Sequence, residues 1–166
     1  MPAGLAGVVT YDSRDNTIAA RSGGYARLLV RRYAESMGSD FGFTRAELDL
    51  RRFRTLGGDH VVGVQGVWSA TSGDVPFYRM PELGGQNLLP GFYQGRYRDR
   101  QLLAAQAEYR TPSWRRMGLV AFAGAGEVAD GLDGFTLSNI HAAAAGGRRS
   151  AYDPAAGWNG GCILPG

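Results

Sequence analysis

The sequence predicts an all-β protein built as one antiparallel sheet, and three observations carry that expectation. Seven segments alternate apolar and polar side chains with a period of two. Clusters of Gly, Pro, Asp, Asn and Ser separate them. No segment shows a convincing helical spacing of apolar residues.

The first strands are expected at 4–13 and 24–35, each closed by turn-forming residues. The third, 42–55, has the clearest pattern: Phe43, Arg45, Glu47, Asp49, Arg51 and Phe53 share one face, and Ala46, Leu48 and Leu50 lie on the other. The short turn Gly57-Gly58-Asp59 leads to a fourth strand at 60–71, where Gly63, Gln65 and Ser69 alternate with Val62, Val64, Trp68 and Ala70. A long loop over 73–100 follows. Loops longer than about 12–15 residues in a strand-rich chain are functional or disordered, and the interleaved Tyr, Phe and Arg of this one argue against disorder. The fifth strand, 101–111, sets Ala104, Gln106, Glu108 and Arg110 against Leu103, Ala105, Ala107 and Tyr109. Pro112-Ser113-Trp114 turns the chain into 116–128, and 139–149 completes the set before a tail at 155–166 that has no alternation.

At 166 residues, 44% hydrophobic and 20% charged, the chain suits one globular domain. Its net charge of +3 comes from arginine, since the sequence holds no lysine. That bias fits a GC-rich genome, so no nucleic-acid partner is expected. A single cysteine, Cys162, excludes an internal disulfide and a cysteine-based zinc site. No apolar run reaches transmembrane-helix length, and residues 1–10 lack the layout of a signal peptide. Read literally this means a soluble cytoplasmic protein, but only if the chain is not a fragment, which its strand pattern suggests it is.

Two architectures fit the alternation. The short turns on one side and longer loops on the other, with strands near the 9–11 tilted residues that cross a bilayer, fit a transmembrane barrel with a wet lumen and with Trp68 and Tyr109 in its aromatic girdles. A soluble β-sandwich binding module has the same pattern, with its apolar row on a core.

Little in the sequence points to catalysis. Arg45, Glu47, Asp49 and Arg51 read as a solvated wall, because carboxylates flanked by arginines come with neither a nucleophile nor a metal shell. His60 and His141 stand alone, so no metal and no cofactor are expected. Gly118 and Gly124-Ala125-Gly126 fall in a strand rather than before a helix, and read as space for something approaching the wall. Tyr11-Asp12-Ser13-Arg14-Asp15-Asn16 reads as a self-satisfied turn, with Arg14 paired to a neighbouring aspartate. The protein is therefore expected not to be an enzyme.

Four motifs occur in order: Thr10 to Asn16; Asp74-Val75-Pro76-Phe77-Tyr78 with Leu83-Gly84-Gly85; Leu89 to Arg100; and Val120 to Val128. In order and spacing they resemble the barrel domain of the BamA/TamA superfamily, the bacterial surface antigens, over about Gly4 to Pro154. The resemblance implies an antiparallel transmembrane β-barrel fragment, seven strands of a 16-stranded barrel. It implies location in the bacterial outer membrane and insertion of other barrels there. The expected partners are outer-membrane lipid, nascent outer-membrane proteins and the periplasmic POTRA domains of the full-length protein. A polypeptide-secretion pore of the same superfamily is the alternative.

In such barrels the long loop folds into the lumen, and an arginine at its tip pairs with acidic residues on the wall. The matching loop motif here is Leu89, Pro90, Gly91, Phe92, Arg96, Tyr97, Arg98, Asp99 and Arg100, and the matching wall positions are Glu108 and Gly124. Pro90 stands at the arginine position, so one cation and one acid are missing together. Arg96, Arg98 or Arg100 is then expected to pair with Glu108 instead. The family would add two strands and a terminal aromatic after Tyr152-Asp153-Pro154; their lack makes the chain read as truncated and inactive by itself as an insertase.

Overall fold

The computed structural model describes residues 4–34, 41–83, 97–112, 117–131, 134, 140–150 and 161–163. Seven long strands form one antiparallel sheet: β1 (Gly4–Asp12), β2 (Gly23–Tyr33), β3 (Phe43–Thr55), β4 (Val61–Gly73), β7 (Gln101–Arg110), β8 (Met117–Ala129) and β9 (His141–Ser150). They follow the expected alternation within a residue or two at each end. A three-residue strand, β10 (Gly161–Ile163), adds to the far edge against β9, inside a tail that the pattern left irregular. The order is β1-β2-β3-β4-β7-β8-β9-β10, an up-and-down meander.

The long connection is more structured than expected. It carries a 3-10 turn at Phe77–Arg79 and a separate two-stranded ribbon, β5 (Glu82–Leu83) with β6 (Tyr97–Arg98). Strands of two residues are too short to show a period, so alternation could not have revealed them.

Two glycines fix strand ends. Gly23 sits at φ +96 and Gly73 at φ +102; a Cβ would lie 2.1 Å from the Ser13 carbonyl oxygen in the first case and 2.5 Å from that of Gly42 in the second. Only glycine fits either position.

Register places the side chains. Across the middle of the sheet Tyr25, Arg51, Gln65, Gln106, Gly124 and Ala143 are directly paired. The next row toward the short turns runs Phe53, Gly63, Glu108, Phe122 and Ala145. All of these lie on one face, here the inner face, together with Arg45, Glu47 and Asp49. The outer face carries Val9, Leu28, Leu50, Val64, Leu103 and Leu119, each between 41% and 70% exposed. No second sheet or helix among the described residues covers that row. The sandwich alternative fails on this point, because its apolar row would need an opposing layer.

Burial is concentrated on the inner face instead. Leu83 is fully buried against Leu102 and Ala104, with Val67, Val128 and Ala143 around them. Part of the long loop thus lies on the polar side of the sheet.

Candidate functional site

The inner wall is a ladder of charge and amide groups. Arg51 Nη2 meets Asp49 Oδ2 at 2.7 Å. Gln65 Nε2 donates to Asp49 Oδ1 at 3.0 Å, and Gln106 Nε2 donates to Gln65 Oε1 at 2.7 Å. The wall therefore carries one chain of hydrogen bonds across β3, β4 and β7. Nearer the long loop, Arg45 Nε meets Glu47 Oε1 at 2.6 Å and Arg31 approaches the same carboxylate at 3.8 Å. Mutual neutralisation lets these charges lie partly covered.

The loop is clamped onto this ladder. Arg45 Nη1 donates to the Arg79 carbonyl at 3.0 Å, so one guanidinium bridges wall and loop. Pro81 and Leu83 are the largest fully buried side chains among the described residues, and β5 lies against β7 and β8. Gly126 of β8 is buried beside this contact. Between loop and wall remains a cavity of about 240 Å³ bordered by Arg27, Arg45, Glu47, Ser69, Pro81 and Glu82.

Of the loop motif, Leu89, Pro90, Gly91, Phe92 and Arg96 lie outside the described residues. Tyr97 is described through its backbone, paired with Leu83. Arg98 bonds the Glu82 carboxylate, donates to the Phe77 carbonyl at 3.1 Å and stacks over the Phe77 ring at 5.1 Å. The Asp99 carboxylate accepts the Arg100 N–H at 2.8 Å. The Arg100 side chain meets Asp130 at 3.1 Å, and its carbonyl accepts both the N–H and the hydroxyl of Thr71, at 2.8 and 2.9 Å.

The expected pairing of Arg98 or Arg100 with Glu108 is therefore overturned. Arg100 sits at the loop end of β7, and Glu108 is eight residues further along, about 27 Å at the strand rise. No arginine side chain spans that distance. Glu108 instead pairs with Arg110, Oε2 to Nη2 at 2.7 Å. Gly124 lies on the inner face in register with Gln106, one row nearer the loop. The register puts Arg45, Glu47, Asp49 and Arg51 on one face, as their period of two requires, whereas the clamp was not anticipated. Its parts, Arg79, Pro81, Glu82 and Leu83, lie in a segment too short to show a period, and the available signal was the Leu83-Gly84-Gly85 motif.

The opposite end is held as well. Arg110 Nη1 donates to the Ala20 carbonyl at 2.9 Å, and Arg21 pairs with Asp59 at 2.7 Å. Arg14 meets Asp12 at 2.7 Å, the local pairing the turn suggested. Asp15 accepts the N–H groups of Arg21 and Ser22, which hold its pKa below the ordinary carboxylate value. The β1–β2 connection is thus tied both to the β3–β4 turn and to the end of β7 beneath the sheet. Among the described residues no cluster of three His, Cys, Asp or Glu could hold a metal ion.

Comparisons with known proteins agree with this geometry. Residues 3–149 match the family model of the Omp85 superfamily domain. Among solved structures the chain is similar to BamA from Haemophilus ducreyi lacking POTRA domains 1-3, with a TM-score of 0.75 over 89% of this chain at 16% identity. It covers 36% of that chain, and no curated protein matches. The chain belongs to the Omp85 superfamily, a family of outer-membrane proteins, and carries the fold of a BamA-type β-barrel.

Proposed function

We propose that this chain is barrel wall and folded-in loop of an outer-membrane protein that inserts other barrels into the membrane. The observation that supports this most is the seating of Leu83 and Pro81 on the inner wall, with Arg45 bonded across to the loop backbone. A loop held inside the barrel closes it to free passage, which suits a protein that works at its wall rather than through its lumen. Nascent outer-membrane proteins are the proposed substrates, and periplasmic POTRA domains of the full-length protein the proposed partners. No chemical catalysis is involved. The chain alone, with β1 paired on one side only among the described residues, is proposed to be inactive, because unpaired backbone groups are costly in lipid.

A secretion pore is the second reading, favoured by the charged and amide ladder, which would suit a passing polypeptide. Reconstitution of the full-length protein in vesicles separates them. Faster folding of an unfolded barrel substrate with low, intermittent conductance is expected. Large steady conductance without that acceleration would replace the insertase with the pore.

A further inference from the structure

We propose that the outer face of β2, β3 and β4 is a binding site for one anionic phospholipid of the periplasmic leaflet. It rests on the outer face lying in lipid, and so holds for insertase and pore alike.

A groove of about 460 Å³ crosses this face, bordered by Tyr11, Ala26, Leu50, Arg52, Val64 and Gly66. It arises from register. Ala26, Leu50, Gly66 and Ala105 form one outward row, and Gly24, Arg52, Val64 and Ala107 form the next toward the short turns. Small residues in both rows leave a trough beside Leu50 and Val64, which are 47% and 48% exposed. A Cβ on Gly66 would meet nothing within 4 Å, so the trough is open there. Its walls are apolar and its width comes from missing side chains.

One end of the trough is cationic. Arg52 and, two residues on, Arg54 point outward at the end of β3 that leads into the short turn, and both are exposed. Neither has an ion-pair or hydrogen-bond partner among the described residues. The Arg52 Nη1 lies 3.5 Å from where a Cβ on Gly24 would sit, so glycine lets the guanidinium lie along the sheet. Short turns mark the periplasmic end of a barrel. An acyl chain lying in the trough would bring its phosphate to the two arginines, and guanidinium groups bind phosphate in bidentate fashion. Charge and shape therefore select the same ligand, an acyl chain with an anionic head.

Native mass spectrometry tests this with the full-length protein released from nanodiscs of phosphatidylethanolamine and phosphatidylglycerol. The parent should retain phosphatidylglycerol preferentially. Each arginine near an anionic lipid surface is worth about fivefold, so Arg52→Ala with Arg54→Ala should lower that retention about twentyfold to thirtyfold. Gly66→Leu, which fills the trough without touching either arginine, should lower it too. Arg32→Ala, on the same face at the other end of the sheet, should leave it unchanged. Far-ultraviolet circular dichroism verifies that each variant folds. Unchanged retention in either the double variant or Gly66→Leu would overturn the proposal, and so would an equal loss in Arg32→Ala, which would mean that any outward arginine suffices.

Discussion

Glu108 and Arg110 project from the same face of β7 and close on one another, the Nη2–Oε2 distance being 2.7 Å and both side chains more than three-quarters buried. The acid that could have received a loop arginine is occupied by a residue of its own strand. Glu108→Gln should cost about 1.5–3 kcal/mol, the range for hydrogen bonds to charged groups, read by urea unfolding of the full-length barrel. Protease resistance of the long loop should not change, because no described loop residue contacts Glu108.

Arg98 is where the loop ribbon is held. It joins Glu82 of β5 to the Phe77 carbonyl and lies over the Phe77 ring. Arg98→Ala should expose 74–83 to limited proteolysis while the strand spectrum of the barrel stays constant. Arg45→Ala should do the same through the other anchor, by removing the bond to the Arg79 carbonyl. If neither variant were cut faster, the clamp would not hold the loop.

Leu83 carries the apolar part of that contact. Fully buried against Leu102 and Ala104, it is the loop member of the apolar cluster on the inner face among the described residues. Leu83→Ala should destabilise the loop-docked state by about 2–5 kcal/mol, the cost of removing a buried leucine side chain. Proteolysis of the loop should therefore precede unfolding of the sheet on a urea gradient.

These expectations mark what the sequence could and could not disclose. The strands of the sheet were legible because each is long enough to repeat a period of two several times, as Arg45, Glu47, Asp49 and Arg51 do. The wall position of Glu108 followed from the same period. The clamp did not, because Glu82 and Leu83 pair with Arg98 and Tyr97 across about fifteen intervening residues, and two-residue strands carry no pattern. The partner of Glu108 was misjudged for a related reason. Alternation states which face a residue shares, and distance along that face decides which charge it meets.

Acid should loosen the β1–β2 turn late. Two backbone N–H groups bonded to Asp15 hold its pKa below 3.8, its ordinary value. A carboxyl whose folded value is depressed contributes its stabilisation above the unfolded value and loses it as pH falls through the folded one. The amide resonances of Arg21 and Ser22 should stay constant down to the ordinary carboxylate range and shift only below it. In Asp15→Asn that shift should vanish, which a pH titration by nuclear magnetic resonance in micelles would read.

The two faces of the sheet should respond oppositely to charge. Leu28 lies mid-strand on the outer face with 41% of its surface exposed, whereas Gln106 lies mid-strand on the inner face within the hydrogen-bonded ladder. An arginine on the lipid face of a barrel costs about 2–4 kcal/mol at the bilayer midplane, whereas lumen positions tolerate polar change. Leu28→Arg should therefore lower the unfolding free energy in lipid vesicles by about that amount, by the same principle. Gln106→Arg should cost about 1 kcal/mol, the value of one lost hydrogen bond. The reverse order would place the aliphatic row on the lumen and the charged ladder against lipid, and with it would fall the outward reading of Arg52 and Arg54.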